Sequence, residues 1–96
     1  MSVDFTSIQN HNEDAVFAAV VAAAPGYPVV AGNNDLLADV ACVALNRLQP
    51  RYIRHAVDFA FYMSDREREA YDKEITDAVD FAFGFVQARK AMRART

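Results

Sequence analysis

Apolar residues recur through residues 5–24 at helical spacing, with Ile8, Val16, Ala19, Val20 and Ala23 on one side. The alanine-rich stretch among them propagates well, so the pattern predicts an amphipathic first helix that also carries Asn10-His11-Asn12-Glu13. Pro25-Gly26-Tyr27-Pro28 ends it, because proline cannot donate to the helical ladder and glycine turns readily. With Gly32-Asn33-Asn34 as a second break, the intervening stretch reads as a loop of about ten residues. A second helix then starts near Asn34, whose side chain is placed to cap it, with Asp35 and Asp39 suited to its positive end. Leu37, Val40, Ala41, Ala44, Leu45 and Leu48 mark a wide apolar face. Pro50 forces Gln49 out of helical geometry, so this helix should stop at about Leu48 and turn extended at Arg51-Tyr52-Ile53-Arg54.

Residues 53–63 carry two patterns at once. Ile53, Val57, Phe59, Phe61 and Met63 alternate with Arg54, Ala56, Asp58 and Ala60 as a strand would, yet Ile53, Val57, Ala60 and Phe61 also share a helical face. Ala-Val-Asp-Phe-Ala-Phe occurs at both 56–61 and 78–83, and the second copy lies in a clear helix, so local sequence does not settle the first. That final helix begins at Ser64, where Ser64 and Glu67 form a capping-box pair. Tyr71, Ile75, Ala78, Val79, Ala82, Phe83 and Val86 line its inner side. Phe81 and Phe85 widen the apolar surface further, which points to a partner helix from a second subunit. Arg89, Lys90, Arg93 and Arg95 close the chain, where cations favour the negative end of the helix dipole. The expected fold is therefore mainly α: a single domain over residues 1–96, with three to four helices and a short extended segment near 51–62.

Ninety-six residues bury a modest core, and a homodimer sharing apolar surface would add to it. A hydrophobic fraction of 53% is globular, and a net charge of -3 argues against a binder of duplex nucleic acid. Cys42 is the sole cysteine, so neither an intrachain disulfide nor a cysteine-rich zinc site is available. Its apolar neighbours predict a buried, inert thiol. Met-Ser-Val-Asp-Phe lacks a signal-like start, and no apolar run approaches about 20 residues, so cytoplasmic residence without a membrane anchor is expected.

Charge distribution changes this picture. No acid lies between Asp39 and Asp58, leaving Arg47, Arg51, Arg54 and His55 as a positive block in an acidic protein, with Asn46 and Tyr52 among them. Arginine pairs bidentately with phosphate oxygens or with the O6/N7 edge of guanine. Tyrosine offers a stacking face, and asparagine both donates and accepts. An anionic, base-containing ligand would need this mixture. The competing reading pairs the arginines with acids of the last helix, such as Glu67 or Asp72, and residue chemistry alone leaves both readings open. His55 with Asp58, and His11 with Glu13, lack the spacing of a metal or catalytic constellation, and the three glycines form no phosphate loop. No enzyme chemistry, metal or cofactor is expected.

Ile8-x-Asn10-x-x-Glu13-x-x-Val16, and more specifically Asp39-Val40-Ala41-Cys42-Val43-Ala44-Leu45-Asn46-Arg47-Leu48-x-Pro50-Arg51-Tyr52-Ile53, resemble the ComFB family of late-competence proteins. These stretches span about the first two thirds of the chain, and the last helix is similar only in a general way. The resemblance implies a small, mainly helical, cytoplasmic, non-catalytic dimer. It also implies a cyclic dinucleotide ligand, notably cyclic di-GMP, and signalling over competence, motility or cell size through an undefined downstream protein. On that reading Arg51 and Arg54 clamp phosphate or guanine, Tyr52 stacks or hydrogen-bonds, and Asn46 with Arg47 completes the wall. His55 would touch phosphate, and Asp58 would accept from guanine or orient an arginine. Many such sequences carry zinc-suited cysteines ahead of the aspartate-valine segment. Here Val29-Val30-Ala31-Gly32-Asn33-Asn34-Asp35 has none, so a zinc role does not carry over and something else must hold this stretch. The alternative function is an adaptor whose Phe59, Phe61, Phe81 and Phe85 make protein contacts while the arginines form ordinary salt bridges.

Overall fold

A computed structural model describes residues 2–55, 57 and 63–94. It is mainly helical. A two-residue strand β1 (Gln9–Asn10) leads into α1 (Asn12–Ala23), a 3-10 turn (Ala24–Gly26) and the short α2 (Pro28–Ala31). There follow α3 (Asn34–Arg47), strand β2 (Tyr52–Ile53) and the long α4 (Asp65–Ala94). The strands pair antiparallel, Gln9 opposite Ile53 and Asn10 opposite Tyr52. The mixed strand and helix pattern of residues 53–63 lies largely outside the described residues, as do Asp58, Phe59 and Phe61; Val57 is helical and exposed.

The first helix starts seven residues later than its pattern predicts. Asp4 Oδ1 accepts from both the backbone N–H (2.9 Å) and the hydroxyl (2.7 Å) of Thr6, an alternative to helical bonding that short polar side chains offer. The next residues then pair with β2, so Ile8 is exposed rather than on a helical face, and Asn10 belongs to a strand. Once α1 begins, Val16 and Val20 turn inward and are buried, while Phe17 and Val21 face out. The stretch between the two central helices is also more ordered than a ten-residue loop. Proline at the first position of α2 pre-sets helical φ. Val30 is fully buried, the Tyr27 ring stacks on Phe83 at 4.4 Å, and Lys90 Nζ donates to the Val29 carbonyl at 3.3 Å. Apolar packing therefore secures the segment that has no cysteines.

Asn33, not Asn34, caps α3: its Oδ1 accepts from the Leu36 N–H at 3.1 Å. Leu48 is already extended as the helix ends before Pro50. Val40, Ala41 and Ala44 are buried, with Leu37, Leu45 and Leu48 half-buried beside them. Ser64 Oγ caps α4 by accepting from the Glu67 N–H at 3.1 Å. All seven residues assigned to the inner side of α4, from Tyr71 to Val86, are buried. Small residues at Ala41, Ala44, Ala78 and Ala82 let α3 and α4 approach closely, and α1 packs against both. Thirty residues make α4 about 45 Å long. It stretches the molecule to 52 Å and raises the radius of gyration to 15.6 Å. A compact chain of this length would have about 12.5 Å.

The cap assignment is testable by denaturant unfolding. Asn33→Ala should cost about 1 kcal/mol of stability, whereas Asn34→Ala should cost no more than a few tenths.

Candidate ligand-binding cleft

Asn12 is the buried polar side chain at the base of the site, only 1% exposed. Its Nδ2 donates to the Gln49 carbonyl (2.8 Å), and its Oδ1 accepts from the Tyr71 hydroxyl (2.8 Å). The carbonyl of Gln49 can only accept, so the carboxamide orientation is fixed and Tyr71 must be the donor. Asn10 completes the arrangement, its Oδ1 accepting from the backbone N–H groups of Asn12 (3.2 Å) and Arg51 (3.0 Å). The His11 N–H donates to the Arg51 carbonyl at 2.6 Å. Two asparagines thus bind the chain after α3 to the start of α1 and to α4.

An open cleft of about 390 Å³ sits on this junction, at the lower end of the range for small-molecule sites. Asn12, Arg47, Leu48, Gln49, Arg51, Glu74, Asp77 and Ala78 line it. The N-terminus of α1 and the C-terminus of α3 both meet there, so their opposite dipole ends offset one another. Side-chain charge therefore dominates: among the described residues, two arginines against two carboxylates. Asp77 is also held by Lys73 at 2.7 Å on the solvent side. The Arg51 guanidinium lies 5.5 Å from the centre of the Tyr71 ring, and the His11 ring lies 5.7 Å from it. Burial pushes the Tyr71 hydroxyl above its ordinary value of 10.0; Asp72 and Glu74 add to the rise and Arg51 opposes it.

Of the residues nominated from sequence, Arg47 and Arg51 share the cleft. Asn46, Tyr52, Arg54 and His55 are exposed but are not among its lining residues, and Asp58 lies outside the described residues. Among the described residues the acids that line the cleft with them are Glu74 and Asp77; Glu67 and Asp72 are not among its lining residues. Arg47 lies over the Phe81 ring, 3.7 Å from its centre, and Arg89 meets Asp39 at 3.6 Å. Sequence reading did not assign Asn12, Gln49, Glu74 or Asp77 to the site. A signal for two of them existed: Glu74 and Asp77 are three apart, directly before the buried Ala78, and so face the same way from α4.

Cys42 is exposed, contrary to the buried thiol that its neighbours predicted, because α3 turns Ala41 and Ala44 inward and Cys42 out. Among the described residues, no three His, Cys, Asp or Glu side chains converge as metal ligands. No described helix is long and apolar enough to cross a membrane.

The family model for late competence development protein ComFB matches residues 9–90, and the chain belongs to that family. No curated protein and no solved structure matches the chain significantly. The matched span contains the asparagine junction and every described residue lining the cleft.

Tyr71→Phe should cost about 1–3 kcal/mol, since it leaves the buried Asn12 oxygen without its donor. Because the folded hydroxyl holds its proton more tightly than the unfolded one, its contribution is complete below pH 10 and is lost as pH rises through the raised value. Urea unfolding at neutral and strongly alkaline pH should therefore show the gap between wild type and Tyr71→Phe closing on the alkaline side.

Proposed function

We propose that this chain is a non-catalytic receptor for a cyclic dinucleotide, cyclic di-GMP, that acts as a homodimer and signals through protein contacts. Family membership supports a late competence-related signalling role. The observation that carries the ligand is the composition of the cleft: Arg47 and Arg51 share one open hollow with Glu74 and Asp77. A simple polyanion would meet repulsion from the carboxylates. A guanine nucleotide offers groups for both signs. Its phosphate oxygens and O6/N7 edge accept from guanidinium, while its N1–H and N2–H donors suit a carboxylate. Adenine lacks that pair of donors on one edge, so the acids favour guanine. Glu74 and Asp77 can accept from guanine as Asp58 was expected to. Tyr52, Arg54 and His55 lie on or just beyond the adjacent strand, where they can meet the second half of a two-fold symmetric ligand.

The homodimer draws support from α4. Phe81, Gly84, Phe85, Ala88 and Met92 form an exposed stripe at spacings of three and four. A β-carbon at Gly84 would meet nothing within 4 Å, so the bare backbone there leaves room for a second helix to approach.

Calorimetric titration should give heat with cyclic di-GMP and a markedly weaker response with cyclic di-AMP. Arg47→Ala and Arg51→Ala should each weaken binding by about 10- to 100-fold, the loss of a charge-assisted hydrogen bond, with a smaller effect from Arg54→Ala. No heat from wild type well above micromolar concentration would leave the adaptor reading in its place. Sedimentation should separately show a dimer that Gly84→Leu converts to monomer.

A further inference from the structure

We propose that Phe81 is a positioning residue for the cleft: its ring carries the Arg47 guanidinium and presents that group's donors to the ligand. The inference rests on the cleft being the cyclic-dinucleotide site and assigns a task to a side chain outside its wall. Arg47 is on the last turn of α3, and its long flexible side chain has many rotamers to lose on binding. Its Cζ nevertheless sits 3.7 Å from the centre of the Phe81 ring, in the same conformation that lines the cleft. Stacking engages only the face of a guanidinium. The five N–H donors lie in its plane and stay available to phosphate or guanine. Phe81 is one helical turn beyond Asp77 and Ala78, which are themselves on the wall, so α4 supplies both the wall and the support behind it.

The support is itself braced. Phe81 stacks with Phe85, ring centres 6.1 Å apart and planes 24° from parallel. The Arg89 guanidinium lies 5.6 Å from the centre of the Phe85 ring and reaches Asp39 at 3.6 Å. Asp39 is on α3 two turns before Arg47, so the series of planes begins and ends on α3 and runs along α4 between. Both phenylalanines, 44% and 46% exposed, are thereby held in place on α4.

The test combines cyclic di-GMP titration with arginine side-chain NMR on the full chain. In unliganded wild type the Arg47 Nε–H resonance should carry a ring-current shift that Phe81→Leu removes and Phe81→Tyr keeps. Phe81→Leu should weaken binding roughly three- to tenfold, the size of a cation–π contact, while Phe81→Tyr binds as wild type does. In an Arg47→Ala background, Phe81→Leu should have no further effect. Wild type that binds while Phe81→Leu binds equally well would overturn this inference alone. So would an equal loss in the Arg47→Ala background, because Phe81 would then act through the fold. Wild type that does not bind would overturn the reading of the cleft and this inference with it. Sedimentation of each variant keeps a change of oligomeric state from passing as a change of affinity.

Discussion

A single buried carboxamide determines where everything at the site can be. Asn12 has almost no contact with solvent, so each of its polar groups must find a partner inside the protein or forfeit about 1–3 kcal/mol. Its partners come from the segment after α3 and from α4, 37 and 59 residues away in sequence. Satisfying them fixes the path of Gln49 to Arg51 across the start of α1. Asn10 doubles the constraint from the strand, accepting from the backbone on both sides of the junction. The position of Arg51 therefore follows from polar bonds that it does not itself make through its side chain.

Charge at the cleft is balanced rather than uniformly positive. The opposed dipoles of α1 and α3 leave little net field, and Glu74 and Asp77 answer Arg47 and Arg51. Discrimination in such a site comes from matching donors and acceptors on a ligand more than from attraction between bulk charges. The same balance fits a chain of net charge -3 whose stretch from Val40 to Val57 holds three arginines and no acid.

Much of this was legible in the chain. The inner side of α4 could be read without error because helical periodicity over 30 residues leaves one solution, and Pro50 dictated where α3 stops. Errors arose where short-range chemistry competes with periodicity. Asp4 and Thr6 bond to one another, and pairing with β2 then takes residues that the hydrophobic pattern gave to α1. Asn33 and Asn34 are equally good caps by residue type, and only backbone geometry separates them. Cys42 shows that an apolar neighbourhood in sequence need not be one in space, since alternate positions on a helix face opposite ways. The arginines were visible as a block. Their partition into two that share the cleft and one that lies beyond it depends on the turn at Pro50, which sequence marks but does not orient.

The pairing of β1 with β2 involves two residues on each side. A ladder this short is marginal alone and belongs to the least stable tier of a protein, the part that opens without unfolding the rest. Here it fastens the amino-terminal arm to the peptide carrying Arg51. If the proposed ligand binds at that peptide, it would favour the paired arm over the detached one, since opening would then cost the ligand's contacts as well.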